Sequence, residues 1–229
     1  EITLSTQQQT SACEQMAETM TEVRDVAQQV AGSARETEKA IGEIMELTEK
    51  LKELMEEELQ SKGKNEAMSG ARIMERVLAD AVDSGKFTLD ELFDEDYQPI
   101  PGTDPQKYHT RYDTWLDEAI LAIEDDYLEK DEQVVFAVLV DRNGYLPTHN
   151  SKYSRPLTGD RDKDKTWNRT KRIFNDPVGL AAAKNRQELL MQVYYRDTGE
   201  KMWDISAPVY VKGRHWGAFR IGYTMDRTD

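Results

Sequence analysis

The chain reads as an α+β protein, a long coiled-coil helix followed by a five-stranded antiparallel sheet with flanking helices. Three observations predict this. A heptad runs unbroken from Ile2 to Met55. Past residue 130 the apolar period changes from 3.6 to 2. Turn signals at Asn143-Gly144, Thr198-Gly199 and Lys212-Gly213 join the later apolar runs into hairpins.

The heptad positions are Ile2, Thr6, Gln9, Cys13, Met16, Met20, Val23, Ala27, Val30, Ala34, Thr37, Ile41, Ile44, Thr48, Leu51 and Met55, all apolar or small except Thr6, Gln9, Thr37 and Thr48. Their mean spacing of 3.5 is that of supercoiled helices, and the first proline is Pro99. A helix of this length would be a rod of roughly 80 Å, which cannot bury its seam alone. Small, polar and Met residues stand where a static zipper carries Ile and Leu, so the seam is expected to pack weakly and tolerate shifts. Residues 1–60 are therefore read as a coiled-coil helix; the family likeness below makes it a signalling helix.

Residues 61–100 read as a helical connector and linker. Ser61-Lys62-Gly63-Lys64-Asn65 is a soft break. Periodicity resumes at Ala71, Met74, Val77, Leu78, Ala81 and Val82, a short acidic helix spans Leu89 to Phe93, and Pro99, Pro101, Gly102 and Pro105 punctuate an irregular stretch. Residues 101–229 read as the sheet domain. A helix from about Asp104 to Glu129 carries the stripe Tyr108, Tyr112, Trp115, Leu116, Ala119, Ile120, Ile123 and Tyr127. Strands are expected at Val134–Val140 and Tyr145–His149. A polar crossover over 150–187 has helical parts at Trp167–Phe174 and Val178–Asn185. Three strands follow: Leu190–Arg196, Met202–Val211 and His215–Tyr223, the first two joined by a turn at Asp197–Glu200. The helices are expected on one face of the sheet.

Composition limits the function. With 30 basic and 44 acidic residues the formal charge is −14, which argues against nucleic acid and anionic lipid as partners. The single cysteine, Cys13, sits on the seam and excludes an intrachain disulfide. No apolar run approaches the ~20 residues that cross a bilayer. There is no phosphate-cradling glycine loop, no Gly-x-Ser-x-Gly and no paired histidines, so catalysis and metal binding are not expected and no cofactor is implied.

The run Ser5-Thr6-Gln7-Gln8-Gln9-Thr10-Ser11-Ala12-Cys13-Glu14-Gln15-Met16, with Thr19-Met20, Val26-Ala27 and Glu46-Leu47 to Leu51, resembles the C-terminal methylation helix of methyl-accepting chemotaxis proteins. Val138–Tyr145, Tyr194–Glu200, Ala207–Val211 and Gly213–Arg220 resemble Cache (PAS-like) sensor domains of such receptors. The first likeness implies methylation at Gln8 or Gln9, of which the off-seam Gln8 is favoured. Once such a glutamine is deamidated to glutamate, esterification removes the negative charge again and lowers repulsion between bundle helices. It also implies a homodimer through the rod, a histidine kinase and coupling protein at a tip outside this chain, and a receptor methyltransferase and methylesterase.

The second likeness implies a small-molecule ligand between the sheet and the crossover, in reach of His149, Tyr153, Trp167, Arg169, Arg172, Tyr194, Asp204 and Arg220. Cations, aromatics and one carboxylate suit a small carboxylate such as an amino acid. Lys171 and Arg172 are also placed to pair with Asp162, Asp164 or Asp176, and Asp204 with Arg220 across strands. The sensor-like part follows the signalling helix with no membrane span between, so both are expected in the cytoplasm. The chain begins at Glu1, so any inner-membrane anchor of the parent is expected upstream. The whole is expected to be a chemoreceptor-type transducer. Two other readings stay open: a docking or dimerisation module that senses nothing, and a redox or gas sensor with a non-covalent cofactor.

Overall fold

The computed structural model describes residues 2–195 and 201–224, with side chains at 7–55, 57–193, 195 and 201–224. The expected turn at Asp197–Glu200 and the side chain of Tyr194 lie outside the described residues. The elements are α1 (Ile2–Asp83), α2 (Leu89–Leu92), β1 (Gln98–Ile100), β2 (Lys107–His109), α3 (Asp113–Lys130), β3 (Val134–Asp141), a 3-10 turn (Ser151–Tyr153), α4 (Arg161–Trp167), α5 (Pro177–Lys184), β4 (Leu190–Tyr195), β5 (Lys201–Val211) and β6 (Arg214–Thr224). The chain divides into two compact units, 1–58 and 59–229. Among the described residues no helix is long and apolar enough to cross a membrane.

In the first unit the helix leaves the heptad seam open. Met16, Met20, Val23, Val30, Ile41, Ile44 and Leu51 are all between 53% and 70% exposed.

The second unit is built on a sheet of order β3-β6-β5-β4, antiparallel throughout, with β1 and β2 forming a separate antiparallel pair. One face carries Ala137, Leu139, Ile205, Ala207, Val209, Phe219, Ile221 and Tyr223. It packs against Ala67, Ala71, Met74 and Leu78 of α1 and Leu116 and Ile120 of α3. The other face carries Phe136, Val138, Val140, Met202 and Ala218, and meets Leu146, Tyr153 and Ala183 of the crossover. Both faces are thus covered, not one.

The structure corrects several expectations. Residues 61–65 are helical, inside α1. A glycine normally weakens a helix interior by roughly 1 kcal/mol relative to alanine. At Gly63 and Gly70 the missing side chain lets α1 lie directly on the sheet, because a Cβ at Gly63 would overlap Ile205 and one at Gly70 would overlap the Phe219 ring. Polar ties fix the same helix. Lys62 pairs with Asp131 at 2.6 Å, and Glu66 accepts from the Tyr223 hydroxyl. Glu75 accepts from Tyr210 N–H at 2.8 Å, where a register shift at Val209/Tyr210 interrupts the ladder. The stretch 61–100, expected as a connector, therefore belongs to the unit that begins at residue 59.

The sheet has four strands among the described residues, not five. Tyr145–His149 makes only an isolated bridge, Tyr145 to Ile173. The outer edge of β3 is closed by side chains instead. Asn150 Oδ1 accepts from Ala137 N–H at 3.0 Å, and Glu124 Oε1 accepts from Leu139 N–H at 2.9 Å. With those donors satisfied, no further strand is needed there. Trp167–Phe174, expected as helix, is largely extended: α4 ends at Trp167, and Arg169, Lys171 and Phe174 donate to the carbonyls of Tyr153, Leu146 and Gly144. The helix expected from Asp104 starts at Asp113, with Tyr108 in β2. The acidic helix α2 forms as read, held by a reciprocal cap between Thr88 and Glu91.

Candidate ligand-binding cleft

A cleft of about 60 Å³ lies on the crossover face of the sheet. Its lining is Phe136 and Val138 of β3, Arg220 of β6, and Leu146, His149, Arg169, Phe174, Asp176 and Val178 of the crossover. Strand alternation puts Phe136 and Val138 on the same face. The cleft's volume is above the roughly 10–15 Å³ a cavity needs to admit a water molecule.

Three of the residues read from sequence, His149, Arg169 and Arg220, meet in this wall. His149 is buried, with its ring centroid 5.0 Å from Tyr153 and 6.5 Å from Phe136. Tyr153 in turn stacks on Trp167 at 6.1 Å, and the Arg155 guanidinium lies over the Trp167 ring at 4.1 Å. Tyr153 and Trp167 therefore back the histidine and are not part of the lining. Arg169 lies over the Phe174 ring at 5.0 Å. Arg172 also lies over Phe174, at 4.7 Å, and donates to the Lys165 carbonyl at 3.1 Å; it stands outside the lining.

Arg220 is held from behind. Its NH2 group lies 2.7 Å from Asp204 Oδ2, and its Nε donates to Oδ1 at 3.3 Å. Asp204 is fully buried and Arg220 nearly so. The pair spans the two central strands diagonally, since Ser206 is opposite Arg220 and Asp204 is opposite Gly222. Asp204 thus belongs to the support of the cleft. Lys171 does not pair with Asp162, Asp164 or Asp176 but with Asp117 at 2.7 Å and Asp113 at 3.4 Å.

Asp176 was not anticipated as a wall residue. It caps α5, accepting from Val178 and Gly179 N–H, and an Asp immediately before Pro177 was the available signal. Two buried carboxyls outside the cleft were also missed. Burial holds the Glu124 carboxyl well above the usual carboxylate range. Burial likewise pushes Asp141 up to about 6, against the opposing hydrogen bonds from the Tyr97 hydroxyl and from Tyr145 and Asn143 N–H. Among the described residues no group of His, Cys, Asp or Glu is arranged to hold a metal ion. Gln8 and Gln9 both lie on α1 with exposed side chains.

Fold and cleft define a class: an α+β unit whose antiparallel sheet carries long helices on one face and, on the other, a small cleft walled by Arg169, Arg220, His149 and Asp176. No protein-family model and no curated protein matches the chain. Among solved structures, an extracellular ligand binding receptor from Desulfohalobium retbaense is similar at 13% identity and a TM-score of 0.33, over 68% of this chain. The match spans about a quarter of that receptor's length (24%).

Proposed function

We propose that the chain is part of a chemoreceptor-type signal transducer. In this reading residues 59–229 form a Cache- or PAS-like module that takes a small carboxylate in the cleft. Residues 1–58 are one leg of a dimeric bundle that governs a histidine kinase through a coupling protein. The module acts in the cytoplasm and catalyses nothing. The observation that carries this is the cleft itself, where Arg169, Arg220 and His149 converge above an apolar floor of Phe136 and Val138. Guanidinium groups bind carboxylates through paired donors, and the small volume favours a small ligand. A ligand biases such a transducer only by its differential affinity for two states. Continuity of α1 through residues 61–65 favours transmission along that helix. Deamidation of Gln8 or Gln9 to glutamate, and methylation of the carboxylate so made, would tune the same balance.

Thermal denaturation of the full chain with acetate, pyruvate, glycine and alanine tests the cleft. A ligand that binds only the native state must raise Tm, by an amount equivalent to about 2.7 kcal/mol at one hundred times its Kd. The shift should disappear in Arg169→Ala. A flat Tm with every compound leaves the second reading, a docking module that senses nothing. That reading is favoured by one observation, a volume of about 60 Å³ against the ~300–1,000 Å³ of common ligand pockets.

The dimer has its own test. The partner proposed for the exposed seam is a second copy, because the heptad register makes the seam self-complementary. Sedimentation of the chain should give a species well above the monomer mass of 26.3 kDa. Ile41→Asp with Ile44→Asp should return it to that mass. A wild-type chain that stays monomeric at high concentration removes this part of the proposal.

A further inference from the structure

Residues 168–174 of the crossover face two ways. On one side Arg169 and Phe174 are cleft wall. On the other, Lys171 leaves the crossover and reaches round the edge of β3. Its N–H donates to the Leu146 carbonyl at 2.7 Å, and its own carbonyl accepts from Tyr108 N–H at 2.8 Å. Its ammonium donates to Asp117 Oδ2 at 2.7 Å and to the Pro147 carbonyl at 3.0 Å, and lies 3.4 Å from Asp113 Oδ2. Only 14% of this side chain is exposed.

Asp113 opens α3 and Asp117 stands one turn further on; the helix packs on the face of the sheet opposite the cleft. Asp113 is itself fixed, by His109 Nδ1 at 2.7 Å and by the Tyr145 hydroxyl at 3.2 Å. Lys171 holds this position at a φ of 59°, in the left-handed region that a side chain beyond glycine, asparagine and aspartate seldom adopts. Such a conformation persists only where the surroundings over-determine it, and it concentrates in switch regions. Two other ties cross the same edge, Asn150 with Glu124 and Ser151 with Asp125. Neither involves a residue of the cleft wall.

We propose that Lys171 is the coupling residue that carries the state of the cleft to α3, a role that rests on the sensing reading above. A ligand that draws on Arg169 pulls on residues 168–174, and the Lys171 ammonium two positions on is a polar link from that segment to α3. Because the backbone at Lys171 is strained, the segment has a relaxed alternative available once the contacts on either side change.

The test is a double-mutant cycle read by amide hydrogen exchange in the full chain, with no ligand added. Arg169→Ala perturbs the wall. It should raise exchange over residues 113–120 by roughly 2- to 30-fold, the range for couplings along connected residues. In a Lys171→Met background the same change should leave those amides unaltered, and in Lys171→Arg the response should return. An equal response with and without Lys171, or none in the wild-type background, overturns the proposal. Should Lys171→Met loosen β5 and β6 as well, the Lys171→Arg background decides, and loss of the response there overturns it too. Because the cycle needs no ligand, a chain that binds no metabolite still gives a readable result, and a failed cycle leaves the thermal-shift test intact.

Discussion

Asp204→Ala is expected to destabilise the 59–229 unit by about 3–5 kcal/mol, the cost of breaking a buried ion pair from one side. The carboxylate is fully buried and takes both Nε and NH2 of Arg220, which is itself only 6% exposed. Alanine leaves a guanidinium in the middle of the sheet without the buried carboxylate that takes two of its donors. The loss comes from the stranded charge more than from the bond itself. Asp204→Ala with Arg220→Met should therefore recover most of the stability, because a well-packed apolar pair is often as stable as the ion pair it replaces. Urea unfolding followed by tryptophan fluorescence reads this unit alone, since Trp115, Trp167, Trp203 and Trp216 all lie in it. A midpoint for Asp204→Ala within error of the wild type would show that Arg220 finds its support elsewhere and that Asp204 does not hold it in the cleft wall. If the pair is there to aim Arg220 at a ligand, the double variant should be stable yet give no metabolite-induced rise in Tm.

What the sequence made legible here was local. The ends of β3, β5 and β6 fall within a residue or two of the expected ones, because alternation and the Asn143-Gly144 and Lys212-Gly213 turns are written in neighbouring residues. The position of the cleft, between sheet and crossover, came from the family likeness, with His149 visible at a strand end, Arg169 in the crossover and Arg220 within a strand. What could not be read depends on contacts distant in sequence. Tyr145–His149 has strand-like composition, but the β3 edge it would pair with is already satisfied by Asn150 and Glu124. Trp167–Phe174 has helix-like composition, but its donors go to Gly144, Leu146 and Tyr153. Glu124 stands in an acidic run with Asp125 and Asp126, yet it alone of the three is fully buried, under the sheet edge. The apolar wall of Phe136, Val138 and Leu146 was hidden because β3 is apolar on both faces, so alternation there could not say which residues face the crossover.

Gly70→Ala is expected to lower the stability of the same unit by about 1–3 kcal/mol, the usual cost of forcing a methyl group into a filled core. Helix propensity alone argues the opposite sign, a gain of up to about 1 kcal/mol for replacing a helical glycine by alanine. The structure decides between them, because a Cβ at Gly70 would overlap three atoms of the Phe219 ring. That ring is fully buried and lies 5.3 Å from Tyr127, so it cannot swing aside without disturbing α3. Gly42 supplies the internal control. It sits in the same helix, off the heptad seam, and a methyl group there would meet nothing within 4 Å, so Gly42→Ala should follow propensity and stabilise helix in the first unit. Circular dichroism at 222 nm and tryptophan fluorescence, recorded on one sample, separate the two effects: the first follows all of α1, the second only the unit that holds the tryptophans. Opposite signs at residues 42 and 70 mean that α1 gains from tertiary packing at one end what it lacks in local preference. Stabilisation at both positions would mean that the helix does not lie on the sheet at Phe219, and that Ser61–Asn65 is the soft joint its composition suggests.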